Sequence, residues 1–449
     1  MRLSTLSLAD YRSYAAAQLR LSPGPNVLLG YNGVGKTNIA EAVGYLATLG
    51  SHRVTQDAPL VRHGADQAFV RATAHRGSQE ATLEIEINPR RSNRVRINRG
   101  APVRATEALG ILRTVLFAPE DLELIKGPPE VRRRLFDDLA MQLRPALGSV
   151  RLDHEKVLRQ RNALLKSIRQ EGFTATHEST LAVWDQQLAD AGARLLRARL
   201  DMLATMRPHV EAAYRQLSGS VRSARLRYVS SLAEQADGGD RRDDRRDDDG
   251  PAGAATPGTD AAGGTGESGD PSTLEQASRD ELAQMLHRAM QESRDQEIDR
   301  GLTLVGPHRD DVFLALDEVP VKGFASHGET WSVALALRLG SYRAMVDDDP
   351  DPGARPILIL DDVFAELDAR RRRRLAELAG EAEQLIVTAA VDDDVPESLM
   401  VHAQRVESTD QLSTVVPMEP AEPAQPAEAT EAAGDAEDDA GASGAEAGR

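Results

Sequence analysis

The chain has 449 residues, no cysteine and 4% aromatic residues, which allows two or three domains and removes disulfides, thiolate metal sites and cysteine nucleophiles. The formal charge of −17 argues on its face against nucleic acid, yet residues 418–449 alone hold nine Asp/Glu and one Arg. Residues 88–104 hold six Arg and no acid, and 131–172 hold ten Lys/Arg against five Asp/Glu; phosphate binding depends on such local stripes.

The opening, MRLSTLSLADYRSY, alternates apolar and polar residues. That predicts a strand over 2–8 and no signal peptide. No apolar run of 18 residues occurs, so no membrane partner is expected, and the lack of cysteine fits a cytoplasmic location. A second strand over 26–30 feeds the loop GYNGVGKTN, and a helix over 36–48 follows. Strands are predicted near 69–75, 81–87, 93–97 and 113–117, and APEDLELIKGPPE (118–130) reads as a loop with a short helical turn.

Residues 131–169 and 178–216 read as helices. Val150, Val157 and Leu164 recur every seven residues, as do Leu181, Leu188 and Leu195, and the short link predicts an antiparallel helical hairpin. Residues 235–271 are low complexity and bury too little apolar area to offset chain entropy, so a disordered insertion is predicted. A helix over 272–296, strands near 311–317 and 356–361, helices near 327–347 and 366–379 and a strand over 384–388 follow, with a disordered acidic tail from 416.

Gly30, Gly35, Lys36 and Thr37 fit the pattern G-x-x-x-x-G-K-[ST] between a strand and a helix. In that pattern the glycines let backbone N–H groups approach phosphate, Lys36 contacts the outer phosphates and Thr37 holds Mg²⁺. Gly30, Tyr31, Asn32, Gly33, Val34, Gly35, Lys36, Thr37 and Asn38 are therefore the candidate ATP-binding residues. ILILDDVFAELD (357–368) is a buried strand ending in two carboxylates, at the edge where open α/β sheets bind ligands. Asp361 is the candidate Mg²⁺ ligand with Thr37, and Asp362 the group that polarises the attacking water. ASHGETW (325–331) opens a helix and offers Ser326 and Gly328 to an anion; taken alone, an ordinary N-cap is the simpler reading. His52 and His308 lack a second ligand at metal spacing and read as structural or phosphate-proximal.

Lys36 and Asp361 lie far apart in the chain yet are expected at one nucleotide, so a large body is inserted into the ATPase fold. The 325–331 turn falls just before the acidic strand, the order of ATP-binding cassettes. With LSLADYRSY, GYNGVGKTNIAEAVGYLATLGSHR, FAPEDLELIKGPPEVRRRLFD, GPHRDDVFLAL and LILDDVFAELD in this order, the chain resembles the RecF family of the cassette and structural-maintenance-of-chromosomes superfamily over about residues 1–235 and 272–408.

The resemblance implies an α/β P-loop NTPase: a cassette-type head with an inserted, mostly helical second lobe containing the short antiparallel hairpin. On it, 1–130 and 272–415 are the two parts of the ATPase head, 131–234 is the helical lobe, and 235–271 and 416–449 lie outside. It implies roles for Asp362, Lys36 and Ser326 in catalysis, and for Ser326, Gly328 and Asp368 in an ATP-dependent homodimer. Glu120 falls where cassettes sense Mg²⁺ and γ-phosphate, usually with Gln. Thr388 stands where many cassettes use histidine, and Glu329 lies near where relatives carry Gln. These departures leave the rate and control of hydrolysis open.

The implied function is ATP-dependent DNA binding in recombinational repair, replication restart and SOS induction. A dimer would clamp single-stranded, gapped or junction DNA with little sequence reading, and a weak DNA-stimulated ATPase would release it. RecO- and RecR-like proteins are the implied partners. Arg90, Arg91, Arg94, Arg132, Arg133, Arg151, Arg159 and Arg161 are candidate DNA contacts, although charged helix faces are more often simply solvated. The alternative is a cassette ATPase with a structural chromosome role or another coupled partner. A chromosome-organising protein would carry far longer coiled-coil arms, and a transporter cassette a shorter span between Lys36 and Asp361.

Overall fold

The computed structural model describes residues 1–232, 271–410 and 412–417. The low-complexity insertion, Pro271 apart, and the tail beyond Pro417 lie outside them. Strands β1 (Arg2–Tyr11), β2 (Tyr14–Arg20) and β3 (Gly24–Leu29) lead into α1 (Lys36–Thr48). Then come β4 (Ala68–Arg76), β5 (Gln79–Ile87), β6 (Arg94–Ile97), β7 (Val103–Arg104) and β8 (Thr114–Phe117). The helical part comprises α2 (Glu123–Lys126), α3 (Pro129–Leu143), α4 (Leu147–Glu171) and α5 (Ala175–Ser218). After β9 (Ala224–Val229) follow α6 (Pro271–Gln276), α7 (Arg279–Glu292) and α8 (Arg294–Arg300). The chain closes with β10 (Asp311–Leu316), β11 (Val319–Pro320), α9 (His327–Asp348), β12 (Ile357–Asp361), α10 (Ala369–Ala379), β13 (Gln384–Ala389), β14 (His402–Thr409) and β15 (Leu412–Pro417).

Three sheets organise these elements. One is antiparallel, in the order β2-β1-β4-β5-β6-β7, and a small one runs β11-β10-β9. The third runs β15-β14-β3-β13-β12-β8, and from β14 to β8 its strands are parallel. A parallel sheet covered on both faces needs continuous apolar strands. Ile357, Leu358, Ile359 and Leu360 accordingly show 0% exposure. Burying each such side chain is worth roughly 1.5–3 kcal/mol. Ile39, Val43 and Leu46 of α1 share the core with Ile357, Ile359 and Ile386, which seats α1 firmly on this sheet. The described residues form one compact unit.

The helical hairpin is present, as the heptad spacing predicts: α4 and α5 pack together across residues 172–174, and Leu165, Ile168 and Leu181 are buried between them and Ile298. Two expected helices are broken. The segment 131–169 divides at Pro145, where the ring removes a backbone donor. The segment 272–296 is three short helices, the second opened by the Ser278–Glu281 capping box. Val416 and Pro417, expected in the tail, belong to β15, which pairs antiparallel with β14.

Candidate functional site

The glycine loop joins β3 to α1 at the C-terminal edge of the parallel sheet. A Cβ at Gly35 would sit 2.5 Å from Ser413 Oγ and 2.9 Å from Ser13 Oγ, and one at Gly30 would collide with the Val406 carbonyl oxygen. The loop is thus gripped from outside by β14, β15 and the β1–β2 turn. Tyr14 OH donates to the Gly35 carbonyl at 3.1 Å, and Asn38 Nδ2 donates to Ser13 Oγ at 2.8 Å. Lys36 is buried, its Nζ donating to the carbonyls of Gly30 at 2.8 Å and Tyr31 at 3.2 Å. Glu41, on the buried face of α1, accepts a two-pronged ion pair from Arg12 at 2.8 and 2.6 Å. That pair ties the β1–β2 turn to the helix behind the loop, and no sequence motif pointed to it.

The acidic pair arrives from the far end of the chain. Asp361 ends β12, two strands from β3, with β13 between them. Thr37 Oγ1 donates to Asp361 Oδ1 at 3.1 Å. From β13, Thr388 Oγ1 donates to the same oxygen at 2.6 Å. Burial pushes the Asp361 carboxyl up to about 7; the Asp362 charge adds to this, and the Thr388 and Thr37 hydroxyls oppose it. Asp362 is half-buried and left-handed, φ 51° and ψ 19°, a conformation Asp tolerates better than most residues. Its N–H donates to Thr388 Oγ1 at 2.9 Å.

Mg²⁺ prefers oxygen ligands. Thr37 and Asp361 supply a hydroxyl and a carboxylate converging beside the phosphate-loop helix, so the donor chemistry fits that ion. Glu120 stands at the rim, 3.8 Å from Arg53, whose Nη1 donates to Asn38 Oδ1 at 3.2 Å.

Ser326 lies on a different surface turn. It caps α9, and its hydrogen bonds run to Glu329: Ser326 N and Oγ each donate to Oε2 at 2.9 Å, and Glu329 N returns a bond to Oγ at 3.3 Å. This is an S-x-x-E capping box, legible in SHGE though not singled out from it. Arg222 holds the other oxygen of Glu329 at 2.9 Å. Hydrogen bonding from Ser326 keeps the Glu329 carboxyl below its ordinary range, and Arg222 adds to this. Gly328 lies under the Arg371 guanidinium, which also pairs with Asp368, the cap of α10. Ser326, Gly328 and Asp368 therefore share one face, while Lys36, Thr37, Asp361 and Asp362 form another cluster.

The candidate DNA contacts divide. Arg90, Arg91, Arg94 and Arg159 are exposed. Arg161 and Arg132 are not contacts. Arg161 is 0% exposed and spans Asp185 at 2.8 Å and Glu297 at 2.6 Å. Arg132 is buried against Asp311 at 2.7 Å. Arg133 is half-buried and donates to the Asp310 carbonyl, and Arg151 binds Asp138 and Glu155. Each has intramolecular acceptors.

The family model for the RecF/RecN/SMC N-terminal domain matches residues 2–411. A protein of Pseudarthrobacter chlorophenolicus named DNA replication and repair protein RecF is 53% identical over 399 residues, covering 89% of this chain and 96% of its own. The chain belongs to the RecF family. A Streptomyces avermitilis relative of the same name is 49% identical over 399 residues, covering 88% of this chain and 95% of its own. Among solved structures, the recombination mediator protein RecF-ATP of the RecFOR pathway superposes with a TM-score of 0.73. It is 23% identical, and the match covers 92% of this chain and 97% of that one. RecF-ATPrS gives a TM-score of 0.72 at 23% identity, over 92% and 98% of the two chains. These two likenesses carry the fold: a RecF-type P-loop head with a helical lobe.

Proposed function

We propose that this RecF-family chain is an ATP-dependent DNA-binding protein of replication and recombinational repair, with roles in replication restart and SOS induction. The observation that carries the reading is the contact of Thr37 Oγ1 with Asp361 Oδ1 at 3.1 Å across 324 positions. A phosphate-loop hydroxyl and a strand-end carboxylate have reason to meet there if both serve one metal–nucleotide group. The names of the RecF relatives support the repair assignment.

In this reading the loop from Gly30 to Asn38 holds ATP, with Lys36 on the outer phosphates. Thr37 and Asp361 would hold Mg²⁺, which neutralises phosphate charge when bound. Asp362 orients the attacking water. The lobes 1–130 and 272–415 act as one ATPase head, with 131–234 as the helical lobe. Ser326, Gly328 and Asp368, lying apart from the loop cluster, serve the nucleotide of a second copy. Two copies then close on single-stranded, gapped or junction DNA when ATP is present, and slow hydrolysis reopens them. RecO- and RecR-like proteins are the proposed protein partners. Arg90, Arg91, Arg94 and Arg159 contact the phosphate backbone.

Filter binding on single-stranded, gapped and duplex DNA, with and without ATP, tests this. Affinity is expected to rise with ATP and fall steeply with salt. An Asp362→Asn variant should bind ATP normally and hydrolyse it about 10²–10⁴-fold more slowly. DNA affinity indifferent to ATP would defeat the reading.

A further inference from the structure

We propose that Thr388 is a positioning residue: it clamps Asp361 and Asp362 in one fixed relation, a task distinct from contacting nucleotide. The inference rests on the ATPase reading of that pair.

Thr388 occupies the middle of the edge where the site is built. On β13 it registers with Leu28 of β3 on one side and with Asp361 of β12 on the other. Its side chain is 0% exposed. The hydroxyl has one proton and two lone pairs. The proton goes to Asp361 Oδ1 at 2.6 Å, and a lone pair takes the Asp362 N–H at 2.9 Å. The Thr388 carbonyl takes the same N–H at 3.2 Å.

One residue therefore orients the carboxylate facing Thr37 and also meets the left-handed backbone of the next residue. The Asp362 N–H keeps the parallel-ladder bond to the Thr388 carbonyl and gains the Thr388 hydroxyl as a second acceptor, so the side chain that holds Asp361 also tethers the backbone of Asp362. Thr388 supplies both acceptors from within the sheet. Threonine suits the task because branching at Cβ makes χ1 stiff, and the neighbouring strands are fixed by pairing. Serine offers the same atoms on a looser stem. Valine has the same shape and no hydroxyl.

The bland alternative is a buried threonine that merely satisfies its own hydroxyl. That role costs stability when removed but leaves the geometry of Asp362 unaffected, so kinetics and metal dependence separate the two.

The test compares Thr388→Val, Thr388→Ser and the parental protein, with Lys36→Ala alongside. Measurements are ATP affinity by calorimetry without Mg²⁺, Mg²⁺ titration in the presence of a non-hydrolysable ATP analogue, and single-turnover hydrolysis. Thr388→Val should keep metal-free ATP affinity within about twofold and need several-fold more Mg²⁺. It should hydrolyse about 10²-fold more slowly, the order expected for a misplaced reacting group. Thr388→Ser should recover most of the rate and of the Mg²⁺ affinity. Parental Mg²⁺ affinity and rate in Thr388→Val would overturn the proposal, as would a serine variant as impaired as valine. If Lys36→Ala binds ATP as well as the parental protein, the nucleotide reading itself fails and takes this proposal with it.

Discussion

Arg338, on the helix capped by Ser326, grips Asp121 Oδ1 with both Nε at 2.9 Å and Nη2 at 2.6 Å. Asp121 belongs to the turn that carries Glu120, and its other oxygen accepts the Ala118 N–H at 3.1 Å. The pair thus joins the rim of the loop cluster to α9. Removing Arg338 would leave a buried carboxylate without its cation, which typically costs about 3–5 kcal/mol. Arg338→Met should lose stability of this order in urea unfolding, and Asp121→Asn in the same background should restore much of it. Additive losses in the double-mutant cycle would mean the two residues are not coupled.

Lys36 is held in place by two loop carbonyls, so its ammonium is already aimed along the loop before any anion arrives. Lys36→Ala should weaken ATP binding by about 2–5 kcal/mol, the range for a lost partner in a desolvated charge pair. Circular dichroism should stay unchanged, because α1 remains anchored by Ile39, Val43 and Leu46. Calorimetry decides it, and unaltered affinity would remove Lys36 from the site.

Ser326 is exposed, and its hydrogen bonds serve its own helix. Ser326→Ala should cost about 1 kcal/mol through loss of the cap. Ser326→Arg should still bind ATP at its own loop but fail to dimerise. Sedimentation with saturating ATP and Mg²⁺ in an Asp362→Asn background would detect this; a dimer formed as readily as without the arginine would refute it.

The surface and buried arginines should behave oppositely. Replacing Arg90, Arg91 and Arg94 together by alanine should leave the melting temperature unchanged. It should reduce the slope of log affinity against log salt by up to about three on duplex DNA, at roughly 0.9 per phosphate contact. Arg161→Ala should instead strand Glu297 in the interior and leave Asp185 with Arg294 alone, with a loss of about 3–5 kcal/mol. DNA affinity lost through Arg161→Ala at full stability would reverse the assignment.

Acid should destabilise the protein through two buried histidines, His154 of α4 and His308 before β10. Burial holds His154 down to about 4, with nearby Arg199 adding to the effect and Asp137 opposing it. Burial and the adjacent His154 hold His308 at about 3. Their rings lie 5.9 Å apart. The folded protein keeps both neutral, while the unfolded chain protonates them near 6.5. Their contribution is therefore complete above about pH 6.5 and is lost as pH falls toward 4, by at most about 1.4 kcal/mol per pH unit for each histidine. Urea unfolding between pH 7 and 5 should show this decline, and His154→Gln should make it shallower. An equal slope in that variant would exclude His154 as a source.

The phosphate loop, the apolar strand ending at Asp361 and Asp362, and the hairpin were legible in the sequence because each is a local pattern. Glycine spacing, a run of four aliphatic residues and a seven-residue repeat declare themselves within one element. The capping box at Ser326 and Glu329 was equally local. The fate of the arginines was not. Arg161 on α4 looks like any solvated cation until Asp185, 24 positions on, and Glu297, 136 positions on, close around it. Thr388 is marked in sequence only as a departure from the histidine of many cassettes, and parallel register alone sets its hydroxyl between Asp361 and Asp362. β14 and β15, which grip the glycine loop, alternate too weakly to predict, and their partners Gly30 and Gly35 lie at the other end of the chain. Local chemistry is written in neighbouring residues; burial and strand register depend on contacts across hundreds of positions, so tertiary structure alone decided them.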